Sequence, residues 1–216
     1  MGRSRRYCEV KLFLSSYRFG DHREAFVDLV GRGARIAVIA AAADSWPANA
    51  RSSAVTSELT PLRAAGFTAE EVDVRDFLGA SEALELRLRE FDCLWVRGGN
   101  TFVLRAQLAR RGADRVIEML VRSGVVAYAG YSAGACLATP TLIGLDASDD
   151  PAEVMPTCGI DPIWSGLALI DFAIVPHGGD SLLEDPQVTA RTVAALTTAG
   201  AQFTVLTDHE VILVDR

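Results

Sequence analysis

Cysteine is scarce in this sequence and is not arranged as in a metal site or a disulfide framework. The four cysteines, Cys8, Cys93, Cys136 and Cys158, include no CxxC or CxxH pair, whereas structural zinc ligands usually come in such pairs. No run of about 18 apolar residues occurs, so we expect no transmembrane helix and no membrane association. These absences favour a cytoplasmic protein that works without a metal or another cofactor.

Positive charge is also in short supply. The chain has 21 Lys and Arg against 28 Asp and Glu, which gives a formal net charge of −7. Proteins that bind nucleic acid normally present a basic face, so we expect no nucleic-acid partner. An anionic small molecule is not excluded, because one arginine in a pocket can outweigh the global charge.

Short, continuous apolar runs alternate with helical patterns along the 216 residues, half of which are hydrophobic. Continuous runs are typical of strands covered on both faces. The β-α rhythm therefore predicts a single α/β domain over 1–216, with a mostly parallel sheet flanked by helices on both faces. The predicted strands are 10–14, 36–41, 71–74, 93–96, 125–128, 172–175, 202–206 and 211–214. The predicted helices are 23–32, 50–65, 101–111, 113–122, 133–138 and 186–199. We expect 146–164 as a loop and the last two strands as a hairpin.

The clearest chemical motif is the pentapeptide Gly130-Tyr131-Ser132-Ala133-Gly134. It matches the G-x-S-x-G nucleophile elbow and lies between a predicted strand and a predicted helix. The glycines let the chain turn closely, so that the Ser132 hydroxyl is exposed at the carboxyl edge of the sheet. The Ala133 N–H, at the start of the helix, can donate to a developing oxyanion. The alternative interpretation is a turn of small residues without chemistry.

A second glycine turn, Arg97-Gly98-Gly99-Asn100-Thr101, follows the fourth predicted strand. Either Gly98 or Gly99 could supply a second oxyanion donor, because glycine adopts backbone shapes that expose N–H groups. The turn also fits an ordinary loop in which Asn100 or Thr101 caps the next helix. We place Asn100 among the candidate substrate-binding residues.

Only three histidines, His22, His177 and His209, are available as the base that a serine nucleophile needs. His177 ends a predicted strand and is followed by two glycines, so its ring can face the edge that carries Ser132. His22 and His209 are expected at the surface. We therefore predict His177 as the base, the alternative being a structural histidine in a loop.

A serine hydrolase also needs an acidic group that orients the base. The segment 146–151, which lies between Ser132 and His177 in the chain, contains three candidate aspartates. The same segment also fits a solvated turn. The order Ser, Asp, His is that of the α/β-hydrolases. However, only 45 residues separate Ser132 from His177, and this short spacing points to another family of serine hydrolases.

Three stretches resemble the peptidase E (aspartyl dipeptidase) family, serine peptidases of family S51, to whose broader group cyanophycinase belongs. They are GGNTF at 98–102, GYSAGA at 130–135, and the strand from Asp171 to His177. The resemblance extends over nearly the whole chain. It implies a fold close to the class I glutamine amidotransferases, a flavodoxin-like three-layer sandwich, with serine in place of the nucleophilic cysteine.

The resemblance also implies roles for individual residues. Ser132 corresponds to the nucleophile and His177 to the base, with Ala133 and a glycine of the Gly98-Gly99 pair as oxyanion donors. These assignments agree with the roles that the motifs themselves suggest.

Asp149 best matches the acid of the family, and Asp150 is the close alternative. Arg191 lies at the distance from His177 expected for an arginine that holds the aspartate of the substrate. Arg97 departs from the family, which often has a further glycine there, and this departure weakens the inference of strict aspartyl specificity.

We therefore expect a dipeptidase-like serine peptidase that cleaves a small peptide through a Ser-His-Asp triad and an acyl-enzyme. Cleavage after an N-terminal Asp is the specificity that the resemblance implies. One alternative is an esterase or amidase that uses the same serine. The other is a non-catalytic binding protein of the same fold. A monomer and a homodimer are both compatible with the sequence.

Overall fold

The computed structural model describes residues 9–216, so Cys8 lies outside the described part. Its largest element is a six-stranded sheet in the order β3-β2-β4-β5-β1-β8, and a second sheet pairs β6 with β7. The strands are β1 Lys11–Ser15, β2 Arg35–Ile39, β3 Thr68–Glu71, β4 Cys93–Val96, β5 Ala127–Tyr131, β6 Ala173–Val175, β7 Phe203–Val205 and β8 Val211–Asp215. Within the large sheet β1 to β5 run parallel, and only β8 is antiparallel.

Within residues 9–216, eight α-helices connect and cover these strands. They are α1 Arg23–Val30, α2 Ala48–Ala64, α3 Ser81–Leu88, α4 Thr101–Arg111, α5 Ala113–Arg122, α6 Ala133–Leu137, α7 Val154–Cys158 and α8 Pro186–Thr198. None of the helices within residues 9–216 is both long and apolar enough to cross a membrane.

Two hydrophobic cores lie on opposite faces of the large sheet. One packs α1 and α2 against alternate strand residues such as Phe13, Ile36 and Trp95. The other packs α3, α4, α5 and α6 against the intervening residues, such as Leu12 and Leu94. Because side chains alternate along a strand, continuous apolar strands serve both faces. The predicted α/β fold, a mostly parallel sheet with helices on both sides, is confirmed.

The C-terminal part differs from the sequence prediction. Strand β7 does not form a hairpin with β8: it pairs in parallel with β6, while β8 pairs antiparallel with β1 at the edge of the large sheet. The expected hairpin is therefore wrong. Since α8 lies between β6 and β7, the segment is a β-α-β unit, whose two strands end at the same edge.

Two helices were not expected from the apolar pattern. Helix α3 has only two buried residues, Leu84 and Leu88, so its apolar face is narrow. Helix α7 lies inside the predicted loop 146–164, preceded by the 3-10 turns Leu145–Ala147 and Pro151–Glu153. Such short elements leave too few apolar positions for a period to be recognised.

Candidate active site

Ser132 occupies a strained turn between β5 and α6. Its φ of 50° and ψ of −117° are unusual for a residue with a side chain, and such strain is typical of a nucleophile elbow. The flanking glycines make this turn possible. A Cβ on Gly130 would lie 2.4 Å from the Gly134 carbonyl oxygen, and one on Gly134 would lie 2.1 Å from the Val96 carbonyl oxygen. The turn therefore has no room for a side chain at position 130 or at position 134.

His177 faces the serine from the end of β6. Its Nε2 lies 3.0 Å from Ser132 Oγ, which is within reach for proton transfer. The residue has a positive φ of 59°, and its backbone N–H donates a 2.7 Å hydrogen bond to Ser16 Oγ. Ser16, which follows β1, thus fixes the backbone that carries the imidazole.

The carboxylate beside the imidazole is that of Asp208. His177 Nδ1 lies 2.7 Å from Asp208 Oδ1, and the hydroxyls of Ser16 and Ser181 donate to the two carboxylate oxygens at 2.8 and 2.5 Å. Burial acts to raise the pKa of Asp208, but the hydrogen bonds from Ser181, His177 and Ser16 outweigh it and hold that pKa below its ordinary value. An ionised Asp208 can keep His177 Nδ1 protonated and Nε2 free to accept a proton.

The two predicted acids make other contacts. Asp149 Oδ2 accepts a 2.8 Å hydrogen bond from the Thr101 N–H at the start of α4, and Asp150 caps the following 3-10 turn through the Ala152 N–H. Neither carboxylate hydrogen-bonds to His177. The assignment of Asp149, or of its alternative Asp150, beside the imidazole is therefore corrected: both satisfy free N–H groups at helix starts, which is the usual use of aspartate there.

Asp208 was missed because the segment 207–210 was interpreted as the turn of a hairpin. The signal that could have found it is the helix between β6 and β7, which implies a parallel pair rather than a hairpin. In a parallel pair, His177 after β6 and Asp208 after β7 reach the same edge.

The predicted oxyanion residues lie close to Ser132, and Gly99 and Ala133 line the same cavity as this serine. A Cβ on Gly98 would come within 3.0 Å of Ser132 Cβ. Gly99 has a φ of 141°, and a Cβ there would lie 2.6 Å from the Ala42 carbonyl oxygen. Within residues 9–216, backbone bonds engage the N–H groups of Arg97 and Asn100 on either side but neither glycine N–H. Ala133 begins α6, where the first N–H groups have no partner within the helix.

Asn100 serves mainly as the cap of α4. Its Oδ1 accepts hydrogen bonds from the Phe102 and Val103 N–H groups at 3.0 and 3.1 Å. Its Nδ2 donates to the Asp150 carbonyl oxygen and to Glu153 Oε2. Asn100 lines the cavity beside Ser132, as its candidate role requires, but both ends of its amide are already engaged.

Arg191 lies outside that cavity. Its Nη2 is 3.4 Å from the Ala147 carbonyl oxygen, and the side chain lines a different depression with Asp146 and Ala195. On α8 the serine cavity is lined instead by Val188, Thr189 and Thr192. The structure therefore does not bring Arg191 together with the other predicted site residues.

A cavity of about 390 Å³ contains Ser132 and His177 in its wall. Of the described residues, four carboxylates, those of Asp149, Asp150, Glu153 and Glu184, also line it, and His177 is the only basic residue among these lining side chains. Its apolar lining comes from Trp46, Leu145, Val175, Leu183 and Val188. The cavity thus combines a nucleophile with a strongly acidic wall.

Burial raises the pKa of Asp149 to about 6. The charges of Glu184 and Glu153 contribute smaller increases, whereas the hydrogen bonds from Thr101 act to lower this pKa.

No group of three or more metal-ligating side chains occurs within residues 9–216.

The chain is similar in sequence to known peptidases. The model of peptidase family S51 matches residues 12–216. An uncharacterized peptidase of Listeria innocua, Lin0382, is 32% identical over 156 residues, which is 71% of this chain and 68% of that protein. Peptidase E of Streptomyces coelicolor is 36% identical over 106 residues, 49% of this chain and 40% of that protein.

A crystal structure from Listeria monocytogenes, designated a peptidase E candidate, has the same architecture. It superimposes with a TM-score of 0.75 at 26% identity, covering 96% of this chain and 95% of that chain. The likeness therefore extends to the whole α/β framework that carries the site.

Proposed function

The chain belongs to peptidase family S51, and from this premise we propose that it hydrolyses peptide bonds in small peptides through Ser132, His177 and Asp208. Membership makes it a peptidase. The observation that carries the assignment of residues is the continuous series of contacts from Ser132 Oγ to His177 Nε2, at 3.0 Å, and from His177 Nδ1 to Asp208, at 2.7 Å. A nucleophile, a base and an orienting acid in this order are what acyl transfer requires.

In the proposed reaction Ser132 Oγ attacks the carbonyl carbon while His177 Nε2 takes its proton. The imidazolium, stabilised by Asp208, then gives that proton to the nitrogen of the leaving amine, and the C–N bond breaks. A water molecule, deprotonated by His177, attacks the acyl-enzyme and releases the acid product and free Ser132. The N–H of Ala133, with that of Gly98 or Gly99, is assigned to the oxyanion formed in both steps.

The acidic wall supports a substrate with a positive charge near the scissile bond. A dipeptide has such a charge in its α-ammonium group, which Asp149, Glu153 or Glu184 can receive. An N-terminal Asp, the residue that the resemblance to peptidase E implies, adds a second carboxylate to the substrate. Among residues 9–216 no arginine lines the cavity to receive this carboxylate, since Arg191 lies elsewhere. We therefore propose recognition of the free N-terminus first, with the N-terminal side chain, Asp included, as a secondary determinant.

The test is a panel of dipeptides with N-terminal Asp, Ala or Arg, each with its N-acetylated counterpart. The proposal expects hydrolysis of at least one free dipeptide, little hydrolysis of its acetylated form, and loss of activity in Ser132→Ala. Equal activity in Ser132→Ala would refute Ser132 as the nucleophile.

Two further probes, p-nitrophenyl esters and a fluorophosphonate, separate the alternatives. Hydrolysis of p-nitrophenyl esters without hydrolysis of any dipeptide would favour an esterase. A folded protein that neither turns over any substrate nor reacts with a fluorophosphonate would favour a binding protein of the same fold.

Three described cysteines, Cys93, Cys136 and Cys158, are free thiols, which supports the cytoplasm as the compartment.

A further inference from the structure

A buried carboxylate behind the active site has no part in the reaction described above. It belongs to Glu58 on α2, which is 1% exposed. The Tyr131 hydroxyl donates a 2.7 Å hydrogen bond to Glu58 Oε1, and the Trp95 indole N–H donates a 3.0 Å bond to Oε2. Burial raises the pKa of Tyr131, so the phenol keeps its proton and remains a donor.

Two arginines surround the same carboxylate at longer range. Arg18 Nη2 lies 3.6 Å and Arg97 Nε lies 3.7 Å from Glu58 Oε1. The Arg97 guanidinium also packs over the Trp46 ring, 5.0 Å from its centroid, and Trp46 lines the serine cavity. A charge taken out of water is tolerated only with such partners.

The partners of Glu58 have a common position in the chain. Tyr131 directly precedes Ser132, and Arg97 directly precedes the Gly98-Gly99 turn. One carboxylate thus contacts the residue before the nucleophile and the residue before the predicted oxyanion glycines. These two segments follow β5 and β4, which are neighbours in the sheet.

The Tyr131 ring connects the carboxylate to the oxyanion turn directly. A Cβ placed on Gly98 would lie 2.9 Å from Tyr131 Cε2, so the ring packs closely against this glycine. Tyr17 packs edge-on against another side of the Tyr131 ring, with 5.9 Å between the two ring centroids. The bond to Glu58 fixes the far end of the ring. Rotation of the ring would therefore disturb both Gly98 and the Ser132 turn.

We propose that Glu58 is a positioning residue: through Tyr131 and Arg97 it holds the ends of β5 and β4 so that the oxyanion donors converge above Ser132. This inference rests on the proposed function, because it assumes that Ser132 is the nucleophile. A carboxylate is not needed here for stability alone, since buried ion pairs can often be replaced by apolar residues without loss.

The test compares two substitutions that each remove one hydrogen bond from Glu58. Tyr131→Phe removes the bond next to Ser132, whereas Trp95→Phe removes the bond on the other carboxylate oxygen. The probe is a fluorophosphonate: Ser132 Oγ attacks phosphorus, fluoride leaves, and His177 takes the proton. The maximal labelling rate and the half-saturating probe concentration are measured separately, together with the melting temperature.

The proposal expects Tyr131→Phe to lower the maximal labelling rate about tenfold, with little change in the half-saturating probe concentration. This loss is smaller than the roughly 100-fold loss of rate that a misplacement of about 1 Å can cause. Trp95→Phe leaves a cavity in the core and should lower the melting temperature more, yet slow labelling less. Glu58→Gln, which keeps an acceptor oxygen, should label faster than Glu58→Ala.

Two outcomes would overturn the inference. Tyr131→Phe could label at the wild-type rate, or the loss of rate across the four variants could follow the loss of melting temperature, as a purely structural role requires. Failure of the wild type to be labelled at all would instead contradict the proposed function, so that the two failures are distinguishable.

Discussion

His177 Nδ1 lies 2.7 Å from Asp208 Oδ1. His177 follows strand β6 and Asp208 follows strand β7, and helix α8 lies between these two strands in the chain. The pair is held by the parallel pairing of β6 and β7. Ser16 and Ser181 hold the carboxylate from the other sides. This arrangement gives Asp208, rather than Asp149, the geometry of a triad acid.

Substitution of the two acids should therefore have different effects. Asp208→Asn is expected to lower kcat about 10³- to 10⁴-fold, because an amide can stabilise the wrong tautomer of the base. Asp149→Asn is expected to act mainly on KM for free dipeptides, since Asp149 lines the cavity without touching His177. Steady-state kinetics on the best dipeptide of the panel measure both effects. The reverse pattern would restore Asp149 as the acid.

Binding of free dipeptides should depend on pH through Asp149. Its pKa is raised to about 6, so the carboxylate gains its charge as the pH rises from 5 to 7, and affinity for an ammonium group should rise with it. Calorimetric Kd values in the Ser132→Ala background measure this binding without turnover of the peptide. The trend should disappear in Ser132→Ala/Asp149→Asn and for N-acetylated peptides. A flat Kd in the parent variant would contradict the assigned role.

The same carboxyl group should affect stability with a defined sign. Its pKa of about 6 in the folded state lies above the ordinary aspartate value of 3.8, so the folded state binds more protons than the unfolded state between about pH 4 and pH 6. The stability that the protonated group contributes is complete below about pH 4 and is lost as the pH rises through 6. Between pH 4 and pH 7 the wild type should therefore lose about 2 kcal/mol more of its free energy of unfolding than Asp149→Asn, as a pKa difference of about two units implies. Urea denaturation of both proteins at pH 4 and pH 7 measures this difference. If Asp149→Asn lost more stability than the wild type on going from pH 4 to pH 7, the assigned pKa direction would be refuted.

The elbow glycines should tolerate no side chain. Gly134→Ala is expected to cost about 3 kcal/mol or to prevent folding, because its Cβ would lie 2.1 Å from the Val96 carbonyl oxygen. Gly66→Ala is the matched control: it has a φ of 91° but no neighbour within 4 Å. It should cost only about 1 kcal/mol, from the backbone alone. Similar losses for the two variants, measured by denaturant unfolding, would argue against the close packing of the elbow.

Local signals in the sequence were sufficient for the parts of the fold that have them. Helices α4 and α5 begin and end where predicted, because Asn100 caps the first and Gly112, in the left-handed conformation, separates the two. The elbow around Ser132 could be predicted because its glycines are required by contacts within a few residues and with β4. His177 could be placed because few histidines were available.

The pairing of strands that are distant in the sequence could not be predicted from these local signals. Apolar patterning indicates that 203–205 is a strand but not which strand it joins, and the choice of β8 instead of β6 concealed Asp208. The prediction of Asp149 relied on its place between nucleophile and base, whereas the N–H of Thr101 in a distant segment determines where its carboxylate points. Arg191 was placed by its distance along the chain, which does not indicate which side of α8 faces the cavity.

Fluorophosphonate labelling followed by peptide mass spectrometry tests the central claim most directly. The account predicts a single modified residue, Ser132, and a labelling rate that falls by orders of magnitude in His177→Ala and in Asp208→Asn. Modification of another serine, or undiminished labelling of Ser132 in both variants, would contradict it.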